Sequence, residues 1–361
     1  MKGLLTAGGH GTRLRPITHT KNKHLIPIAN RPMLSYAINY MKEANIIDIG
    51  IIINKDDNEI ENRFGNGKEL GVNLTYIPQE SPLGLAHVIK ISENFIGKDK
   101  FLFYLGDNIL VGGVSNFIKE FISLDSSCHL VISKVSDPER FGVPEIKSNK
   151  IVSITEKPII PKSNYAITGI YLYDSSIFEA VNNIKPSKRG ELEISDAHQY
   201  LLDKKKKITY SEITGWWKDT GKPFDLLEAN KLILNNIKNE NSKNNEIDFL
   251  KDKMHNHISG NIISGNNSII KKSIIDGPVI IGDNVIIENS KIGPNVSLSD
   301  NCKVINSSIE NSIVMSDTSF YNVKKTIKNS LLGNDIKITE SKNKHNELSL
   351  IIGDQGIIEL G

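Results

Sequence analysis

Thr6-Ala7-Gly8-Gly9-His10-Gly11-Thr12-Arg13-Leu14-Arg15-Pro16 follows directly on the apolar run Gly3-Leu4-Leu5. A strand that empties into closely spaced glycines is the opening of an α/β fold that brings backbone close to a ligand. Glycine has no Cβ to hold a ligand off, and it accepts positive φ. Successive N–H groups in such a loop form a concave anion site. Arg13 and Arg15 add planar forks suited to phosphate oxygens. Lys23 follows, ahead of Leu25-Ile26-Pro27, and supplies a further cation. The stretch reads as a polyphosphate cradle with a cationic residue reaching over it.

Two familiar phosphate loops do not fit. A P-loop needs G-x-x-x-x-G-K-[ST], and no Lys-Ser or Lys-Thr follows these glycines. The dinucleotide fingerprint needs a small residue three places after Gly11, where Leu14 stands.

Beyond the loop the pattern alternates. Met33, Leu34, Ala37, Ile38 and Met41 share one helical face, with Pro32 suited to the first turn. Residues 48–54 form a continuous apolar run, as in a strand buried on both faces. Residues 57–64 read as a short helix, 72–77 as a strand ending at Pro78, 85–92 as a helix and 101–105 as another buried strand. This βαβα rhythm predicts a mostly parallel sheet with helices on both sides. Ligands of such sheets sit beyond the C-terminal ends of the strands. The glycine loop, Gln79 and Asp107 each follow a strand and are expected to line one crevice. Residues 136–222 carry shorter strands, at 142–146, 151–155, 166–173 and 208–213, and read as an insertion that holds a second substrate. A helix from Pro223 to about Asn236 closes the unit.

The composition then changes. Residues 235–245 are rich in Asn and Lys without apolar periodicity, as in a linker. Ile263, Ile269, Ile275, Ile281 and Ile287 recur every six residues. After a slip of one, Ile292, Leu298 and Val304 continue, with Ile309 and Met315 the last clear members. Such spacing marks hexapeptide repeats in a parallel β-helix. The expected organisation is a first domain over 1–237, a linker over 238–253 and a repeat domain over 254–361.

Several residues carry chemistry. Gln79 can offer both an acceptor and a donor to one edge of a base, and Gly84 allows backbone contact with the same ring. Asp107 ends a buried strand and Asp219 lies far along the chain; together they suit a hard cation such as Mg²⁺, which takes one or two carboxylates plus phosphate oxygens and water. Lys157 can neutralise a phosphate monoester, and Glu156 can accept hydrogen bonds from sugar hydroxyls.

The run Gly-Gly-x-Gly-Thr-Arg-Leu-x-Pro from Gly8 to Pro16, with Lys-x-Leu-x-Pro from Lys23 to Pro27, resembles the signature loop of sugar-1-phosphate nucleotidylyltransferases. The segments 141–145, 154–158, 189–196 and 215–223 resemble more narrowly the glucose-1-phosphate thymidylyltransferase family, and the appended repeats resemble its long form. The resemblance implies a Rossmann-like, mostly parallel nucleotidyltransferase domain followed by a smaller left-handed parallel β-helix. It implies attack of glucose 1-phosphate on dTTP, with catalytic roles for Arg13, Lys23, Asp107 and Lys157. Nucleotide contacts would come from Gly8, Gly9, Gly11, Thr12, Arg13, Gln79, Pro82, Gly84 and Asp107. Sugar-phosphate contacts would come from Gly142, Glu156, Lys157, Thr168, Gly169 and Arg189. Asp107 and Asp219 would bind Mg²⁺, and a homo-oligomer (trimer or tetramer) is expected. His24, Asn22 and Lys188 depart from the family's common residues without removing a charge the chemistry needs. The base stays open between thymine and uracil, because Gln79 reads an edge they share, so UTP stands as an alternative to dTTP.

Two other functions fit the sequence less well. An acetyltransferase β-helix needs an imidazole base, and the nearest histidines, His255, His257 and His345, lie at the ends of the repeat. A non-enzymatic scaffold would be expected to lose a charged site residue, and Arg13, Lys23, Asp107, Lys157 and Asp219 are all present.

Composition bounds the remainder. At 361 residues, one large and one smaller domain are expected. A net charge of +2 gives no electrostatic case for nucleic acid or an acidic membrane. No apolar run approaches the roughly 18 residues of a membrane span. The glycine loop begins at once, so no signal peptide is expected, and two distant cysteines, Cys128 and Cys302, suit a reducing cytoplasm.

Overall fold

The computed structural model describes residues 1–9, 11–237, 255–340, 347–348, 350–354 and 357–360. The expected linker at 238–253, and His345, lie outside the described residues. The first part of the chain supplies β1 (Lys2–Thr6), β2 (Pro27–Ile28), β3 (Arg31–Pro32), β4 (Asp48–Asn54), β5 (Asn73–Gln79), β6 (Phe101–Leu105), β7 (Asn108–Leu110), β8 (Cys128–Lys134), β9 (Gly142–Lys147), β10 (Lys150–Glu156), β11 (Tyr165–Tyr173), β12 (Ile208–Glu212) and β13 (Trp217–Asp219). The chain packs as two units, residues 1–9 with 34–219, and residues 10–33 with 220–361.

In the first unit, seven strands form one sheet in the order β12-β8-β11-β6-β1-β4-β5. β1 pairs in parallel with β4 and β6, β4 with β5, and β8 with β12, while β11 runs antiparallel between β6 and β8. Leu4, Leu5, Ile51, Ile52, Phe101 and Phe103 are buried, as strands covered on both faces require. The sheet is mostly parallel, as the rhythm predicts.

Three local expectations are corrected. β5 does not stop at Pro78 but runs through it to Gln79. It is an edge strand, so the missing proline N–H deprives no neighbour of a bond. Pro32 ends the β2–β3 hairpin, and the helix begins at Met33. Of the four strands read into the insertion only β9 and β10 stand apart, as an antiparallel ribbon. β11 and β12 belong to the main sheet; the apolar run Tyr165–Tyr173 is buried almost throughout, which an exposed flap would not tolerate.

The second unit holds residues 10–33, the helix Pro223–Asn236 and three six-stranded parallel sheets built from strands of two to four residues. This is the stack of a parallel β-helix, consistent with a left-handed one. In the first coils each residue lies above its counterpart seventeen positions on, as Ile258 over Ile275 and Ile275 over Ile292. The slip of one therefore recurs once per coil. Ile275, Ile281, Ile287, Ile292, Leu298, Val304 and Ile309 are buried in the core of the stack, whereas the place expected for Met315 is taken by Val314, which stands in register with Leu298 and Leu332. Ile263 and Ile269 are not in that core; Ser264 stands in line with Ile281 and Ile270 with Ile287, Ile262 is buried in line with Val279, and Ile269 is exposed. Nor does the pattern end near Met315. Phe320, Ile327, Leu332 and Ile338 carry the core onward, hidden in the sequence by a coil of sixteen residues between Val304 and Phe320 and one of eighteen between Ile309 and Ile327. Asn284, Asn301 and Asp317 turn corners with positive φ, which short side chains that hydrogen-bond locally tolerate.

The first unit buries two histidines. His129 lies between Thr209 Oγ1 (2.8 Å) and Ser211 Oγ (2.7 Å), and His198 Nε2 lies 2.6 Å from the Tyr173 hydroxyl. Burial pushes His129 down to about 4 and His198 down to about 3. Both are neutral when folded at pH 7. As pH drops below about 6.5, the unfolded chain binds protons that the folded chain refuses, so stability present above 6.5 is lost toward pH 4. The urea midpoint should therefore be lower at pH 5.5 than at pH 7, and His129→Gln should shrink the difference. An unchanged difference in that variant would remove His129 from this account.

Candidate active site

β1 delivers Gly8 and Gly9. A Cβ on Gly8 would lie 3.0 Å from Asn54 Oδ1, so the chain leaves the strand against its neighbour without room for a side chain. Gln79 ends β5 with its side chain largely buried, and its Nε2 lies 3.0 Å from His87 Nδ1. Burial, with the charge of Lys90, lowers the His87 pKa. A neutral ring accepts at Nδ1 from the Gln79 amide, which keeps the amide oxygen and one N–H for a base edge. Gly84 has φ of +97°, and a Cβ there would lie 2.5 Å from Leu192 O. Leu192 N donates to Leu83 O (2.8 Å) and Ala86 N to Leu192 O (3.1 Å), so the segment with Pro82 and Gly84 is stitched to the chain leaving Arg189.

Asp107 sits in the turn between β6 and β7. Gly106 N donates to Thr6 O (3.2 Å), and the buried Tyr104 hydroxyl donates to Asn108 O (2.9 Å), which fixes that turn on β1 and β6. Asn108 Nδ2 donates to Asp107 Oδ1 (3.0 Å), and Trp217 Nε1 donates to Asn108 Oδ1 (2.6 Å). β13 pairs with β7 so that Asp219 stands opposite Asn108. Two carboxylates that are 112 positions apart in sequence, 219 minus 107, thus reach neighbouring places on one ribbon. The donor set is hard oxygen, and a cation held there would complete its shell with phosphate oxygens and water, which suits a divalent ion.

A second cluster forms where β9 faces β10. Gly142 pairs with Glu156, and a Cβ on Gly142 would lie 2.5 Å from Ser195 Oγ. Ser195 Oγ donates to Glu156 Oε2 (2.6 Å); Lys157 Nζ and Arg189 Nη2 lie 3.7 and 3.8 Å from Glu156 Oε1. Arg189 is also gripped by Glu193, with Nη2 at 2.8 Å from both carboxylate oxygens. Gly142, Glu156, Lys157 and Arg189 are therefore together. Thr168 and Gly169 lie where the β11–β8 register shifts. The Thr168 hydroxyl is buried and donates to Val131 O (2.8 Å), while Gly169 packs on Leu105 and Asn108, where a Cβ would lie 2.8 Å from Asn108 Nδ2.

The remaining candidates lie in the second unit. Gly11 has φ of +58° and opens the single turn Thr12–Leu14. A Cβ on Gly11 would lie 3.0 Å from Lys23 Cβ, and Thr18 Oγ1 donates to Gly11 O (2.8 Å). Lys23 begins another single turn, Lys23–Leu25, whose preceding Asn22 accepts from His24 N (2.9 Å). The Arg13 guanidinium lies 3.1 Å from where a Gly221 Cβ would stand, so Gly221 makes room for it.

Sequence reasoning missed Asn108, His87, Ser195 and Glu193. Each acts by holding a neighbour. Only Asn108, adjacent to Asp107, carried any local hint.

A mostly parallel sheet with a glycine loop, a buried amide and two carboxylates beyond its strand ends fits the nucleotidyltransferase fold. A family model described as nucleotidyl transferase matches residues 2–236. A glucose-1-phosphate thymidylyltransferase of Streptomyces griseus is 47% identical over 235 residues, 65% of this chain; the chain spans 66% of that relative's length. One of Streptomyces antibioticus is 38% identical over 362 aligned residues, covering 100% of this chain and 99% of that protein. A crystal structure of a Bacillus anthracis protein described as a putative glucose-1-phosphate thymidylyltransferase, in complex with sucrose, matches at TM-score 0.62 and 42% identity, over 66% of this chain and 96% of its own. The chain belongs to the nucleotidyl transferase family, within its glucose-1-phosphate thymidylyltransferase branch.

Proposed function

We infer that the chain transfers a thymidylyl group from dTTP to glucose 1-phosphate, giving dTDP-glucose and pyrophosphate. The observation that carries this reading is the end-to-end likeness to the Streptomyces antibioticus thymidylyltransferase. The clustering of Lys157 and Glu156, and the pairing that puts Asp219 opposite Asn108, support it. A phosphate oxygen of the sugar phosphate attacks the α-phosphorus of dTTP. The new O–P bond forms as the bond to the β-phosphate oxygen breaks, and its electron pair leaves on pyrophosphate. The sugar phosphate is already an anion at pH 7, so no general base is required. The barrier is repulsion between anions and charge growing on the leaving group, which alignment and electrostatics lower. Gly8, Gly9, Gly11 and Thr12 cradle the phosphates, and Arg13 and Lys23 stabilise the departing charge. Gln79, Pro82 and Gly84 hold the base. Lys157 orients the attacking phosphate, with Arg189 beside it, and Glu156, Gly142, Thr168 and Gly169 shape the sugar pocket. Asp107 and Asp219 would hold Mg²⁺, which when bound supplies neutralisation of phosphate charge.

The reading places this chemistry in residues 1–237 and gives 254–361 to the β-helix, in a cytoplasmic homo-oligomer, trimer or tetramer, that binds neither nucleic acid nor membrane. No helix among the described residues is long and apolar enough to cross a membrane. The test is a matrix of dTTP, UTP, dCTP and ATP against several sugar 1-phosphates, scored by kcat/KM from pyrophosphate release. The pair dTTP and glucose 1-phosphate should rank first. A higher kcat/KM with UTP transfers the assignment to a uridylyltransferase, and no release with any pair ends it.

A further inference from the structure

The β-helix touches the cationic loop directly. The β2–β3 hairpin turns through Ala29 and Asn30, both with positive φ, at 46° and 58°. That turn is clamped from two sides. Asn230, on the helix Pro223–Asn236 and 1% exposed, accepts at Oδ1 from Ala29 N (2.8 Å) and from Ser297 Oγ (2.7 Å). Its Nδ2 reaches Asn295 O at 3.4 Å. Asn30 Nδ2 donates to Leu298 O (2.7 Å), and Ser299 Oγ reaches Asn30 Oδ1 at 3.3 Å. The last described coil meets the other end of the same loop. Thr20 Oγ1 donates to Asp354 Oδ2 (2.9 Å), and a Cβ on Gly353 would lie 3.2 Å from Pro16 O.

Between these two grips lies Lys23. It is 6% exposed, its Cβ lies against Gly11, and its carbonyl accepts from Ile26 N (3.2 Å), one residue before the hairpin. Four of the polar contacts just named tie a loop of the phosphate-binding motif to the coils or to the helix that precedes them, across 201 to 334 positions. Buried polar side chains are costly unless matched, so Asn230 and Ser297 hold one geometry rather than many.

We propose that the β-helix is a positioning element of the catalytic apparatus: through Asn230, Ser297 and Asn30 it fixes the loop that carries Arg13 and Lys23. This deepens the function assigned above and rests on Lys23 acting on the triphosphate. Asn230, Ser297 and Asn30 touch no substrate; they act through the hairpin. The long form of the chain thereby gains a route by which whatever stabilises or loosens the coil at residues 295–299 changes the transfer rate.

The test uses the full chain. Asn30→Gly keeps the left-handed turn and removes the side-chain bond to Leu298 O; Ser297→Ala removes one donor to Asn230 and leaves the coil's backbone ladder intact. Hydrogen–deuterium exchange of the peptide 11–32 is read first, since it reports the clamp whatever the chemistry. Exchange should quicken in both variants, and kcat should fall by about tenfold to a hundredfold, with KM for glucose 1-phosphate within a factor of about two, as expected when a reacting group is misplaced rather than lost. Asn230→Asp, which keeps the accepting oxygen, should retain more kcat than Asn230→Ala. Unchanged exchange in Asn30→Gly and Ser297→Ala overturns the clamp. Faster exchange with parental kcat overturns its catalytic part. If Lys23→Met also keeps parental kcat, the failure lies in the role given to Lys23, and the proposal falls with it.

Discussion

Asp107→Asn is expected to lower kcat by about a hundredfold or more at limiting Mg²⁺, with KM for glucose 1-phosphate little changed. The substitution keeps the shape of the side chain and removes its charge. The turn that carries it should survive, because its staples are independent of that carboxylate: Gly106 N to Thr6 O, and the Tyr104 hydroxyl to Asn108 O. What changes is the donor set beside Asp219. An amide offers one weaker oxygen where a carboxylate offers two charged ones, and a hard cation is held less well. Raising Mg²⁺ should therefore restore part of the lost rate, whereas a change in shape alone would not respond. Pyrophosphate release titrated with Mg²⁺ reads the rate, and Mn²⁺ affinity in the presence of dTTP, followed by electron paramagnetic resonance, reads the site without turnover. Near-parental kcat at limiting metal, with unchanged Mn²⁺ affinity, would falsify the assignment of Asp107.

What the sequence made legible, and what it hid, follows from the range of the interactions. β4 and β6 could be read because a continuous apolar run has few other homes. The helix Pro223–Asn236 announces itself through proline at its first position. The end of β5 could not be read past Pro78, because a missing N–H matters only where a neighbour needs it, and edge position is set by the whole sheet. The membership of β11 and β12 in that sheet is equally non-local. The motifs supplied both Asp107 and Asp219, yet only the pairing of β13 with β7 makes them neighbours. Asn108, His87 and Ser195 stayed hidden for a related reason: each matters through one hydrogen bond to a candidate residue, and partners at that distance leave no periodic trace. In the repeats, Ile263 and Ile269 were misassigned because adjacent isoleucines, at 262–263 and 269–270, leave two possible phases. Burial chose the other one.

Lys23 and Lys157 should fail differently when each is replaced by Met. Lys23 lies in a loop whose glycine, Gly11, packs on its Cβ, and it is nearly buried, so its ammonium is presented in a fixed place. Its contact with the triphosphate should strengthen as charge collects on the departing pyrophosphate. An interaction that grows in the transition state lowers kcat when removed. Lys157 is assigned to the other substrate. It follows Glu156 at the end of β10, holds a positive φ of 40°, and its backbone N donates to Phe141 O (2.9 Å), which turns the chain at the mouth of the β9–β10 ribbon. Its side chain is 44% exposed, with Glu156 3.7 Å away as a neighbour that a sugar phosphate would join. Lys157→Met should mainly raise KM for glucose 1-phosphate and leave KM for dTTP near its parental value. A charge-assisted hydrogen bond is worth about 1.5–3 kcal/mol, roughly tenfold to more than a hundredfold in either parameter. The larger loss should fall on Lys23→Met, because the Lys157 ammonium is half open to water, which screens what it contributes. Initial rates with each substrate varied against saturating partner separate the two. Loss of affinity for the same substrate in both variants would mean that the two lysines serve one phosphate, and the division of roles between them would have to be abandoned.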